Sequence, residues 1–117
     1  MQLSEMKFDG PVPVDGYGPG FFRVADQLYQ GAIIVLPGEV LSWEGLADLS
    51  PLLAAAQEYD VLFVGTGPTH LPLAPEFLRQ FDKLHLGVEP MATPAACRTY
   101  NVLLSEGRRV AAALLPV

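Results

Sequence analysis

Four consecutive apolar residues, Val61-Leu62-Phe63-Val64, run directly into Gly65-Thr66-Gly67. Two of the four are β-branched and one is aromatic, which suits a strand covered on both faces. Such a strand needs one layer above it and another below, so this stretch restricts the fold more than any other. Gly65, Thr66 and Gly67 break the strand at its carboxyl end. In an open α/β sheet that end is where ligands sit. The stretch is therefore expected to form the floor of the core, and it is the first place to look for a site.

From Val61 onward the chain reads strand, helix, strand, helix, strand. Pro75-Glu76 opens a helix with a carboxylate in its first turn, where the helix dipole favours it. Phe77, Phe81 and Leu84 follow at helical spacing. Leu84 to Val88 is the next expected strand, ended by Glu89-Pro90. Thr93-Pro94 reads as a cap followed by proline, and Ala96, Tyr100, Leu103 and Leu104 form the apolar stripe of a third helix. Gly107 suits the position just past its end. Val110 to Leu115 is a last buried strand. This alternation predicts crossover units on a parallel or mixed sheet.

Upstream, short extended runs are separated by turn residues. Pro11, Pro13, Gly16, Gly18, Pro19 and Gly20 predict a turning arm, with a short edge strand near Lys7 and Phe8. Strands are expected at Phe21–Val24, Gln27–Gln30, Ala32–Leu36 and Val40–Trp43, with turns at Ala25-Asp26 and Pro37-Gly38 and a bulge at Gly31. Ser50-Pro51 reads as an N-cap and first helical residue of a short helix reaching Glu58. The fold class is thus α/β: one domain over residues 1–117, three layers, a mixed central sheet, and an added antiparallel portion from the N-terminal half. A chain of 117 residues fits one domain with a sound core.

Charge narrows the partners. The formal net charge is −6. Nine acidic and two basic residues precede Val61, against four acidic and five basic from there on. The only adjacent basic pair is Arg108-Arg109, so neither nucleic acid nor an anionic membrane surface is an expected partner. Cys97 is the single cysteine, which excludes an internal disulfide and favours the cytoplasm. Met1 to Gly10 has charges of both signs and no apolar core, unlike a signal peptide. The longest uncharged stretch, Val61 to Pro75, is too broken by proline and glycine to span a membrane.

The chemistry-bearing residues are few. Exposed N–H groups at Gly65, Thr66 and Gly67 would contact an anion. A dinucleotide fingerprint needs a third glycine where His70 stands, Pro68 removes a donor, and no Gly-Lys-Ser/Thr follows. A plain structural turn is the first reading of this loop and ligand contact the second. His70 is a candidate acid, base or ligand, but with only His85 beside it no metal set forms. Cys97 is expected to be a small buried hydrophobe rather than a reactive thiol. Glu89 would accept a ligand hydrogen bond at the same sheet edge or cap the helix near Thr93, and the cap is preferred. Tyr100-Asn101 would add polar atoms to that rim. The expected ligand set is therefore Gly65, Thr66, Gly67, His70, Glu89 and Asn101, with no catalytic residue, cofactor or metal.

The run Thr99-Tyr100-Asn101 through Glu106-Gly107-Arg108-Arg109-Val110-Ala111-Ala112-Ala113-Leu114 resembles the C-terminal signature of the small Mth-type domain family of unknown function. Val64-Gly65-Thr66-Gly67, Gly31 with the strand after it, and the Tyr17-Gly18 turn also resemble it. The resemblance covers nearly the whole chain. That family includes the adipogenesis-associated mammalian protein and mitochondrial respiratory complex I assembly factor three. The resemblance implies a three-layer α/β domain without established enzymatic activity, working through an unidentified protein partner. The leading expectation is a non-catalytic interaction or assembly domain linked to respiratory complexes. Trp43, Tyr17, Phe21 and Phe22 would anchor contacts, with at least half of them in the core. The competing expectation is a small-molecule or anion-binding protein, with an enzyme as one form of it, using the Gly65-Thr66-Gly67 loop.

Overall fold

The computed structural model describes residues 5–117. In chain order it contains β1 (Glu5–Lys7), β2 (Val14–Gly18), β3 (Phe21–Val24), β4 (Gln27–Gln30), β5 (Ile33–Leu36), β6 (Glu39–Ser42) and α1 (Ser50–Ala54). A 3-10 turn (Ala56–Glu58), β7 (Val61–Thr66), α2 (Pro75–Asp82), β8 (Gly87–Met91), α3 (Thr93–Ser105) and β9 (Val110–Leu115) follow. Six strands form one sheet in the order β1-β6-β5-β9-β7-β8, and β2-β3-β4 form a second. Within the larger sheet β9 is antiparallel to β5 and parallel to β7, and β7 is parallel to β8. The sheet is therefore mixed, as expected.

The apolar run does what its composition requires. Phe63 packs on one side with Ala96, Cys97 and Tyr100 of α3 and with Phe22, Val24 and Tyr29 of the small sheet. Leu62 and Val64 pack on the other side with Leu52 of α1 and Phe77 and Phe81 of α2. Strand side chains alternate between faces, so one strand serves both cores. The central strand β9 carries Ala111, Ala112 and Ala113, all fully buried. Their small side chains let layers approach the sheet from both directions. Burying a large residue such as Phe81 contributes about 1.5–3 kcal/mol.

Two buried aromatics have their polar ends satisfied by nearby carbonyls, whereas the buried Tyr29 hydroxyl has no partner among the described residues. The Tyr59 hydroxyl donates to the Leu52 carbonyl at 2.7 Å, and Trp43 Nε1 donates to the Asp48 carbonyl at 2.8 Å. These bonds fold the segment between β6 and β7 back over the sheet. Trp43 and Phe22 are core residues, Phe21 is half-buried and Tyr17 is exposed, so Tyr17 alone of the four presents a largely open ring.

Several local expectations are corrected. The antiparallel N-terminal strands divide between the two sheets. β5 and β6 join the main sheet as a hairpin, while β2, β3 and β4 separate. Gly31 is not a bulge. Its φ of +79° lets the chain turn from β4 toward β5, and the register irregularity lies at Val14/Gly16. The strand expected at Leu84–Val88 is shifted to Gly87–Met91. Backbone N–H groups of Leu84 and Leu86 return to the Phe81 carbonyl, and His85 takes φ +57°. Those bonds turn the chain and leave Leu84 exposed. Glu89-Pro90 lies inside β8, which tolerates proline because it is an edge strand. Ser50 is the first helical residue, not a side-chain cap, and α1 stops at Ala54 before the 3-10 turn. The strand β2 goes beyond the turning arm read from the sequence. The part of the N-terminal reading that concerns residues 1–4 lies outside the described residues.

At the end of α3 the glycine reading holds. Gly107 takes φ +80°, its N–H reaches the Leu104 carbonyl, and Arg108 N–H reaches the Leu103 carbonyl. This paired closure requires a residue comfortable in the left-handed region.

Candidate functional site

Because β7, β8 and β9 are parallel, their carboxyl ends share one edge. The chain leaves β7 for α2 on one face and leaves β8 for α3 on the other. Adjacent strands whose connections diverge in this way open a crevice, the usual ligand position in such sheets. Here two threonines fill it. Thr66 Oγ1 donates to the Thr69 carbonyl at 2.7 Å, lies 3.2 Å from the Met91 carbonyl and accepts from Leu71 N–H at 3.0 Å. Thr93 Oγ1 donates to the Leu115 carbonyl at 2.6 Å and accepts from Gly67 N–H at 2.9 Å. Thr93 N–H in turn donates to the Gly67 carbonyl at 2.8 Å.

Gly65 explains why the elements meet so closely. A Cβ there would stand 2.7 Å from Thr93 Oγ1 and 3.0 Å from both Thr93 Cα and Leu114 Cδ2. Gly67, at φ +100°, turns the chain out of the strand. Gly65 and Thr66 are buried, and Pro68, Thr69 and His70 are exposed at the mouth. The loop's inward polar groups are thus committed to the protein's own backbone and hydroxyls.

The other expected site residues lie elsewhere. Glu89 is exposed in the middle of β8, in register with Phe63, two residues short of Gly65. It does not cap α3. The cap position is Ala92, and no side-chain cap bond is made. Thr93 is the first helical residue rather than the cap, because its hydroxyl is held by Leu115 and Gly67. Asn101 lies eight residues along α3, about 12 Å from Thr93 by helical rise. Its Oδ1 accepts from Val14 N–H and its Nδ2 donates to the Val14 carbonyl, both at 2.8 Å. Beside it the Tyr100 hydroxyl donates to the Val12 carbonyl at 2.8 Å. These three bonds clamp the small sheet to α3. The structure thus groups Gly65, Thr66, Gly67 and, at the mouth, His70, while Glu89 and Asn101 stand apart.

Cys97 is buried in the core between α3 and the small sheet. Burial pushes its thiol from 9.0 up to about 11. That leaves about one-hundredth of the thiolate that a normal thiol would carry near neutral pH. Iodoacetamide at pH 8 should therefore alkylate the folded protein at least about a hundredfold more slowly than the urea-unfolded chain. Equal rates in a mass-spectrometric time course would show that the thiol is not shielded.

A second feature had no signal in any motif. Between α1 and α2 lies an apolar groove of about 360 Å³, with Leu46, Leu49, Leu53, Leu73 and Phe77 in its walls and Glu76 at its edge. Of the leucines in its walls, Leu46 is exposed. A concave apolar surface of this kind is a candidate contact site.

Comparison with known proteins fits this architecture. An uncharacterised Rhodobacter capsulatus protein is 45% identical over the whole of this chain, which spans 94% of that protein. The zebrafish protein named NADH dehydrogenase [ubiquinone] 1 alpha subcomplex assembly factor 3 is 35% identical over 86% of this chain and 62% of its own length. The chain thus spans less than two thirds of that relative. Among solved structures, a Bartonella henselae protein described as an outer membrane protein matches with a TM-score of 0.85 at 38% identity, over 94% of this chain and 98% of that one. A Bordetella pertussis structure described as a Mth938-like domain matches at 0.77 with 35% identity, over 99% and 92%. The family model described as "Protein of unknown function (DUF498/DUF598)" matches residues 14–115. With that match running from β2 to β9 and including all three helices, this chain belongs to the DUF498/DUF598 family and has the Mth938-like α/β fold.

Proposed function

We propose that this protein is an interaction domain that acts without catalysis in the assembly of a respiratory complex. The observation that carries the reading is the 35% identity, over most of this chain, to a protein named as a complex I assembly factor. The surface supports it. An apolar groove with the exposed Leu46 in its wall offers a contact area, whereas the crevice at the strand ends is occupied by Thr66 and Thr93. Among the described residues no helix is long and apolar enough to cross a membrane. The proposed place of work is the cytoplasm, on parts of a complex before they are complete.

Deleting the gene in its native host tests this. The amount of assembled NADH dehydrogenase complex on blue-native gels should fall several-fold and return with the wild-type gene. Full assembly in the deletion strain would overturn the reading.

A further inference from the structure

We propose that the edge of β2 facing α3 takes an extended segment of a partner protein, which adds to the small sheet as a short further strand. This deepens the reading of an interaction domain and rests on it.

The backbone sets the mode. β2 is an edge of the small sheet. Val24 and Gln27 close the two-residue turn between β3 and β4, so they form a hydrogen-bonded pair. Bonded and unbonded pairs alternate, so Val24 and Phe22 aim their N–H and C=O groups at β4. Their partners on β2, Val14 and Tyr17, then aim theirs away from β3. The odd step between those two is permitted by the register irregularity between Val14 and Gly16. Asn101 bears this out at Val14, where its amide takes both the N–H and the C=O at 2.8 Å. That amide meets the edge as a peptide unit of another strand would. The same donor and acceptor at Tyr17 have no partner among the described residues. An extended peptide supplies both, the mode in which main-chain bonds hold a segment and a neighbouring pocket selects its side chains.

Such a pocket lies beside the open pair. A groove of about 320 Å³ runs between β2 and α3, with Tyr17 on one wall and Pro94, Cys97, Arg98 and Val102 on the other. The helix positions recur at spacings of three and four, so they share one face. Tyr17 and Val102 are 40% and 50% exposed, and an apolar side chain of the segment would fill the space between them. From Val14 to Tyr17 the edge runs about 10 Å, room for about three residues of extended chain. Of the two charges lining the groove, Asp15 turns a carboxylate oxygen to Asp26 N–H at 3.4 Å. Arg98 is exposed and forms no ion pair among the described residues. An Asp or Glu flanking the apolar residue meets that guanidinium, and complementary charge fixes the register of such contacts.

Displayed random peptides selected on the full chain test this. Binders should share an apolar residue beside Asp or Glu, with acids enriched at least about tenfold over Lys at that position. Selection on Arg98→Glu should return Lys or Arg there instead. With the best peptide bound, the Tyr17 amide should exchange with deuterium at least about tenfold more slowly, and the amides of α1 should be unchanged. N-methylation of the peptide should abolish binding at the one residue that donates to Tyr17 and not at its neighbours, which face away. Val102→Asp should weaken binding at least about tenfold with an unchanged melting temperature, because Val102 is exposed. Binding that tolerates every N-methyl group, leaves Tyr17 exchange unchanged or selects acids on Arg98→Glu would overturn the proposal. So would a concentration-dependent dimer that Val102→Asp abolishes, since a second copy would then hold the groove. If no peptide is selected while gene deletion still depletes the respiratory complex, the assembly role stands and this occupant falls. If peptides bind as described while deletion has no effect, the edge pairs with segments in some other process.

Discussion

Thr93→Val is expected to lower the free energy of unfolding by about 2–4 kcal/mol, well beyond the effect of Thr93→Ser. Valine closely matches threonine in shape but cannot hydrogen-bond. It would leave Gly67 N–H without its acceptor and the Leu115 carbonyl without the hydroxyl donor. Each buried polar group left unpaired costs about 1–3 kcal/mol. Serine keeps the hydroxyl and loses one methyl, about 1 kcal/mol. Urea unfolding followed by fluorescence and far-UV circular dichroism would measure both, with unchanged slopes identifying a pure stability effect. If the valine and serine variants unfolded at the same midpoint, the hydroxyl would not be the tie between β7, α3 and β9 that the geometry describes.

A second expected result concerns the clamp on the small sheet. Combining Tyr100→Phe with Asn101→Ala removes three side-chain bonds to the Val12 and Val14 backbone. The expected loss is about 2–4 kcal/mol, at a typical 0.5–1.5 kcal/mol per bond with some water compensation at these half-buried positions. The loss should be uneven. Amides of β2 and β3 should exchange with deuterium faster than those of β7 and β9, because the small sheet has no strand pairing to the main one. Uniform acceleration across both sheets would mean that the two layers unfold as one unit and that the clamp has no local role.

The core could be read from the sequence where side-chain chemistry alone decides conformation. Val61–Val64 is apolar and β-rich, so it had to be covered on both faces, and Phe63 and Leu62 divide between two cores. Prolines at the starts of α2 and α3 marked where helices begin, and Gly107 marked where one ends. The strand at β8 was misplaced by three residues because Leu84 and Leu86 look as apolar as a strand should. What moved the strand was the backbone bonding after α2 and the freedom of an edge to hold Pro90. β2 was illegible for a related reason. Gly16 and Gly18 weaken any strand signal, and it is the Asn101 side chain, 87 residues away, that holds Val14 in place.

The proposed ligand rim shows the same division. The glycine loop was visible because glycine is required where a Cβ would strike Thr93, and that requirement shows as a residue type. Whether Glu89 and Asn101 stood beside it was not visible, since neighbours across a sheet depend on register and on which face a helix presents. The groove between α1 and α2 carries no motif, because concavity belongs to the packing of two helices and not to either sequence segment.

By itself the sequence determined the α/β class, the doubly covered strand, most helix starts, the acidic balance of the first half and the family. These follow from local propensity, hydrophobic pattern and composition, which act over a few residues. Only the tertiary structure decided that β2–β4 separate as their own sheet, that Thr66 and Thr93 fill the crevice between β7 and β8, and that leucines from separate segments line one groove. Those outcomes depend on hydrogen bonds and contacts between residues far apart in the chain, and no short stretch carries them.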